Sequence, residues 1–149
     1  MAGCWKAEAE RWFHQAAYDL RACRWNISGG FNDTAAFLAQ QAAEKALKAL
    51  LYYLGARRKA LLSHSLVDMI NSLGDRVPAL TNLLEAARSL DLHYVPSRYP
   101  NGLPSGYPHQ FYAKATAESA LSAADKIVVA VRDYIHGAGE ADWLPPDEA

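Results

Sequence analysis

Residues 39–51 read Ala-Gln-Gln-Ala-Ala-Glu-Lys-Ala-Leu-Lys-Ala-Leu-Leu. Neither Gly nor Pro interrupts them, and alanine loses no side-chain entropy on ordering, so the stretch predicts a helix. Extended outward, that helix runs from about Thr34 to Leu54 and stops at Gly55, with Asn32 or Asp33 placed to cap its first turn. Ala36, Ala43, Leu47, Leu50 and Leu54 form an apolar seam, and the many alanines allow a second helix to approach closely. Beside the seam, Gln41, Glu44, Lys45 and Lys48 step by three or four and form one polar stripe. That stripe reads either as a solvated face with internal ion pairs or as a line reaching into a cleft, with Glu44 and Lys48 meeting Arg98 or a phosphate.

On the N-terminal side, Ala9, Phe13, Ala16, Leu20, Cys23 and Ile27 recur at helical spacing, predicting a helix over about 6–27 that ends at Ser28-Gly29-Gly30. The short link predicts an antiparallel hairpin. Trp5 and Trp12 share a face of this helix, with Trp25 off that line. So much Trp surface predicts cover from the C-terminal tail, with Trp143 as its anchor, or from a second subunit.

On the C-terminal side, Ser65 and Asp68 fit a capping box for a short third helix. Pro78 suits the first turn of a fourth, with Leu80, Leu83, Leu84, Ala87 and Leu90 on its buried side. Residues 92–108 carry four prolines and two glycines among Tyr94, Arg98, Tyr99 and Tyr107, which predicts a long loop, and such loops carry function more often than filler. A last helix is expected over about 109–136. The fold class is therefore all-α: an antiparallel four-to-five-helix up-and-down bundle with one long Pro/Tyr-rich loop before the last helix. It forms a single domain over 1–149, with a core at about 6–137 and a loosely held tail over 138–149.

Composition narrows the function classes. The chain is 51% hydrophobic and 21% charged, with net charge −1, so no global basic field holds nucleic acid and any such contact needs a local cluster. No run approaches the ~20 apolar residues of a membrane span. The N-terminus lacks a signal-peptide pattern, and Cys4 and Cys23 suit a reduced, cytoplasmic setting. No metal-ligand spacing links the five histidines, and no motif calls for a cofactor.

Several pieces in order carry a family resemblance. They are Ala17-Tyr18-Asp19-Leu20, the 39–51 stretch, His64-Ser65-Leu66, and Tyr94 with Ser97-Arg98-Tyr99-Pro100 before the last long helix. Over about 6–137 the chain resembles the HEPN family (higher eukaryotes and prokaryotes nucleotide-binding domain), in its stand-alone prokaryotic branch. The resemblance implies a helical bundle that often forms a homodimer. It also implies a small nucleotidyltransferase partner in a two-component, toxin-antitoxin-like system. It implies nucleotide or RNA binding in some members and RNA cleavage by toxins in others.

The resemblance implies that RNA-cleaving members carry an Arg and a His with four to six residues between them, suited to phosphate stabilisation and proton exchange with the ribose. Arg58 with His64 has that spacing, as do Arg57 with His64 and Arg88 with His93. The family places the pair at the start of the last long helix, where this chain has Arg98 and His109 separated by ten residues. Binding without catalysis therefore leads, through Arg98, Tyr99, Tyr94, Gln41, Glu44, Lys45 and Lys48. A metal-independent endoribonuclease using His64 with Arg58, or His109 with Arg98, is the alternative. A non-catalytic protein-interaction module is the third reading. Each candidate also has a plain structural reading: Tyr99 and Pro100 plug the bundle end, Arg98 pairs with a core carboxylate, and Arg57, Arg58 and Lys59 form a solubilising turn.

Overall fold

A computed structural model describes residues 2–56, 61–140 and 143, and these contain no β-strand. The helices are α1 (Ala2–Ser28), α2 (Asn32–Tyr53), α3 (Leu66–Leu73), α4 (Leu84–Asp91), the short α5 (Pro108–Phe111) and α6 (Lys114–Gly137). Helix α2 is the centre, packed along α1 on one side and α6 on the other, with α3 and α4 across one end. Ala35, Ala36, Ala39, Ala42, Ala43, Ala46 and Ala49 are all fully buried, so small side chains line α2 on more than one side. That is why one helix can serve as the axle for two neighbours. The core faces of α1 and α6 are those the periodicity predicts: Ala9, Phe13, Ala16, Leu20 and Cys23 on α1, and Ala117, Ala124, Ile127, Val128 and Val131 on α6.

Turn chemistry sets the α1–α2 hairpin. Gly30 has φ +83°, a left-handed backbone that an L side chain would strain, and its N–H donates to the Ile27 carbonyl. The Phe31 N–H then closes onto the Asn26 carbonyl. This tight closure makes Phe31 the N-cap residue and draws Asn32 and Asp33 into the first turn of α2, so neither caps it as expected.

Other boundaries also differ. Ser65 accepts the Asp68 N–H as half of the expected capping box, but the Ser65 N–H goes to Ser63 Oγ. Asp91 completes the cap from across the bundle, accepting the N–H groups of Leu66 and Val67 at 2.9 and 3.2 Å. The fourth helix opens as a 3-10 turn over Pro78–Leu83 and becomes α-helical only at Leu84. The long loop contains one 3-10 turn, Pro100–Gly102. The expected last helix is split. Tyr112 and Ala113 are extended between α5 and α6, a break that lets the Tyr112 hydroxyl meet His93 Nδ1 at 2.8 Å.

Two described residues beyond α6 make contacts with the bundle. Glu140 pairs with Lys6 at 2.6 Å and accepts the Tyr53 hydroxyl at 3.1 Å. Trp143 is buried against Phe13 and Tyr53, the anchor expected of it. Trp5 and Trp12 pack on Tyr52 of α2 instead. Trp25 remains 80% exposed.

Candidate functional site

One face of α2 carries Asp33, Phe37, Gln40, Gln41, Glu44 and Lys48, which recur every three or four residues and so form a continuous ridge. Most of this ridge is met by a residue from the 64–112 region, and the candidate site is built from those meetings.

At the middle of the ridge, the buried Glu44 carboxylate accepts from Lys48 Nζ at 3.1 Å and from Gln40 Nε2 at 3.3 Å. His64 Nδ1 lies 3.3 and 3.4 Å from its two oxygens. A carboxylate can only accept here, so the geometry assigns a proton to Nδ1. Gln40 Nε2 also reaches the His64 carbonyl at 3.4 Å, and Gln41 Nε2 donates to Gln40 Oε1 at 2.7 Å. The Tyr94 ring stacks on His64.

One turn towards the start of α2, the Arg98 guanidinium lies over Phe37 at 4.3 Å, over Tyr94 at 4.7 Å and over Tyr99 at 5.0 Å. Its Nε donates to the Tyr94 carbonyl at 2.8 Å. Among the described residues no carboxylate pairs with Arg98, so the core ion pair of the plain reading is not present. Tyr99 is 52% exposed and Pro100 is also exposed, so neither plugs the bundle end. At the first turn, His109 Nδ1 meets Asp33 Oδ1 at 2.8 Å beside the Phe31 ring.

The structure sorts the sequence candidates unevenly. Arg98, Tyr94, Tyr99, His64, Glu44 and Gln41 share one region, with His109 one helical turn beyond. The polar stripe is not solvated: Glu44 and Lys48 are buried, and Lys48 Nζ lies 5.5 Å from the Trp12 ring centre. Lys45 leaves the group, since its ammonium pairs with Asp19 of α1, which Gln15 also holds. Arg58, with Arg57 and Lys59, lies outside the described residues. Arg88 is exposed on α4, while His93 is half-buried on Tyr112. Burial holds the His93 imidazole below its usual range. Burial, then the Asp33 charge, pushes the Tyr112 phenol up to about 12. Among the described residues no three His, Cys, Asp or Glu side chains gather as a metal site.

Phe37 and Gln40 were not singled out by sequence, and Asp33 only as a cap. Stepping back four residues from Gln41 reaches Phe37, and four from Glu44 reaches Gln40, a signal the periodicity already held.

The sequence profile of the HEPN domain matches residues 9–134, from α1 to near the end of α6. The chain belongs to the HEPN family. The match covers nearly the same span as the resemblance read from the ordered sequence pieces. Solved structures agree. TT1696 from Thermus thermophilus is 37% identical with TM-score 0.79, covering 85% of this chain and 97% of its own. ST0689, an archaeal HEPN homologue, is 34% identical with TM-score 0.72, covering 86% and 98%. The HEPN domain protein TM0613 from Thermotoga maritima is 30% identical with TM-score 0.67, covering 85% and 98%. No curated protein matches this HEPN chain. Among the described residues, no helix is long and apolar enough to cross a membrane.

Proposed function

We propose that this HEPN protein binds a nucleotide or RNA through a phosphate held by Arg98, without cleaving it. The supporting observation is the state of that guanidinium. Three aromatic rings and one carbonyl fix its position, and no carboxylate among the described residues neutralises it. A fixed, unneutralised guanidinium gives a planar fork to a phosphate at little further entropic cost. Tyr99, half-exposed beside it, offers a face on which a base can stack. Glu44, Lys48 and Gln40 bond one another, so they brace His64 and Tyr94 rather than touch the ligand.

Thermal unfolding against nucleotides and short RNAs tests this. A ligand at about 100 times its dissociation constant adds about 2.7 kcal/mol, a shift of several degrees for one domain. The expected result is a shift in the wild type that is absent in Arg98→Ala. No shift with any of these ligands overturns the reading. A homodimer, and a complex with a small nucleotidyltransferase in a two-component system, belong to the same proposal; co-expression and co-purification test that part.

A second reading, metal-independent RNA cleavage, has one observation in its favour. His109 sits on Asp33 and Arg98 on Phe37, four residues apart on α2, so the ten-residue gap in sequence closes to one helical turn in space. It requires cleavage that survives chelators and is lost in His109→Ala.

A further inference from the structure

We propose that Asn101 is a site of spontaneous covalent modification, converted through a succinimide with Gly102 to a carboxylate that gives the Arg98 loop its first acid. Of the asparagines in the chain, only Asn101 precedes a glycine. Asn26, Asn32 and Asn71 lie within α-helices, and Asn82 lies within the 3-10 turn that opens α4. Asn101 and Gly102 are both exposed, and the Asn101 side chain has no hydrogen-bond partner among the described residues. Packing requires glycine after it. A Cβ on Gly102 would lie 3.0 Å from Pro96 Cα and 3.2 Å from the Pro96 nitrogen. The contact that fixes glycine at this position also leaves its backbone nitrogen with no side chain to shield it.

The backbone restraint on that nitrogen is slight. Pro100–Gly102 is a single 3-10 turn between extended residues, Tyr99 and Leu103. The Gly102 N–H donates to the Tyr99 carbonyl at 3.2 Å, and the Leu103 N–H to the Pro100 carbonyl at 3.0 Å. A lone 3-10 turn has poorer hydrogen-bond geometry than an α-helix and opens locally without unfolding the bundle. Once the first of these bonds opens, the Gly102 nitrogen gives up its proton and attacks Asn101 Cγ. The new C–N bond closes the succinimide ring, and the side-chain nitrogen leaves as ammonia, taking up that proton. Water then opens the ring, at the side-chain carbonyl to aspartate or at the main-chain carbonyl to isoaspartate. Either product carries a carboxylate. Residues 92–108 contain no Asp or Glu, and Arg98 is their only Lys or Arg. The new acid therefore arises three residues from the one fixed cation of the loop.

The test is peptide mass spectrometry of the full chain after days at mildly alkaline pH and physiological temperature, native and in denaturant, beside Asn101→Gln. Asn101 is exposed and its side chain unpartnered, so this variant should fold. The native wild type should lose most of its Asn101 amide, with isoaspartate exceeding aspartate. The rate should rise with pH, because the nitrogen attacks as its anion. Asn71, which precedes a serine inside α3, should keep its amide under the same conditions. Two results overturn the proposal: conversion of Asn101 in denaturant but not in the native protein, or native conversion no faster than at Asn71. The effect of the new charge on binding rests on Arg98 taking a phosphate, as proposed above. With inorganic pyrophosphate as the probe, Asn101→Asp should reduce the thermal shift several-fold and Asn101→Gln should keep it. An equal shift in Asn101→Asp and wild type overturns that effect. No shift in the wild type overturns the Arg98 reading, and the mass measurement still decides the modification.

Discussion

The Tyr94 ring lies on the His64 imidazole, centroids 4.9 Å apart and planes 23° apart. Through that stack the loop holding Arg98 is tied to the buried Glu44 at the centre of the bundle. Arg98 is thus positioned by a chain of contacts, Glu44 to His64 to Tyr94, that begins in the core.

Removing the Tyr94 ring should therefore disturb binding more than folding. Tyr94→Ala should cost about 0.5–1.5 kcal/mol for the lost stack, in addition to the lost area of the ring. It should also abolish most of any phosphate-dependent thermal shift, whereas Tyr94→Phe should keep it. Urea denaturation paired with ligand-dependent melting separates the two effects. Equal ligand response in Tyr94→Ala and wild type would break the link to Arg98.

Glu44 and Lys48 form a buried ion pair whose worth lies in being intact. Lys48→Met leaves the Glu44 carboxylate with Gln40 and His64 alone and should destabilise by about 3–5 kcal/mol. The double variant Glu44→Met with Lys48→Met should recover most of that loss, because neither charge is then stranded. Equilibrium denaturation of both single variants and the double variant gives the coupling directly.

His93 should make the fold sensitive to mild acid. Its imidazole is held below 6.5 by burial, so the unfolded chain binds this proton more readily than the folded one. The stability it protects is complete above about pH 6.5 and is lost as pH falls from there through the lower folded value. His93→Asn should flatten the change in denaturation midpoint between about pH 7 and pH 5 relative to wild type. A wild-type slope that His93→Asn leaves untouched would assign it to other groups.

Cys23 should be chemically silent until the protein unfolds. It is fully buried, and burial pushes its thiol up to about 11 from 9.0. The thiolate needed for attack is about a hundredfold scarcer than in the open chain, before access is considered. Alkylation followed by mass spectrometry of the Cys23 peptide should show modification in denaturant and almost none without it.

Much of this was legible in the chain before any coordinates. The hairpin of α1 and α2, the core faces of α1 and α6, and the tail anchor at Trp143 all follow from local spacing and composition. What was not legible was depth. Periodicity identifies Gln41, Glu44, Lys45 and Lys48 as a stripe, but α2 is lined with alanine on several sides, so a polar stripe on it lies beneath other elements instead of facing water. The break at Tyr112 was hidden for a related reason. His109 through His136 is good helix-forming sequence, and only the distant His93 supplies a cause to interrupt it. Arg98 was legible as a site candidate by its residue type and surroundings. Its platform was not, because Phe37 is sixty-one residues away and the contact is made by folding alone.

The pairing of Lys6 with Glu140 places the beginning of α1 beside the residue that follows α6, with Trp143 holding the same corner on Phe13 and Tyr53. The bundle is in that sense topologically a closed ring with a short gap. A brief linker could join its two ends, and new ones could be opened at Gly55, where the backbone is exposed at the end of α2 and far along that helix from Asp33, Phe37 and their partners. A circularly permuted form of this protein would keep every helix and the Arg98 platform, with its new ends opening beside Tyr53 at the same corner.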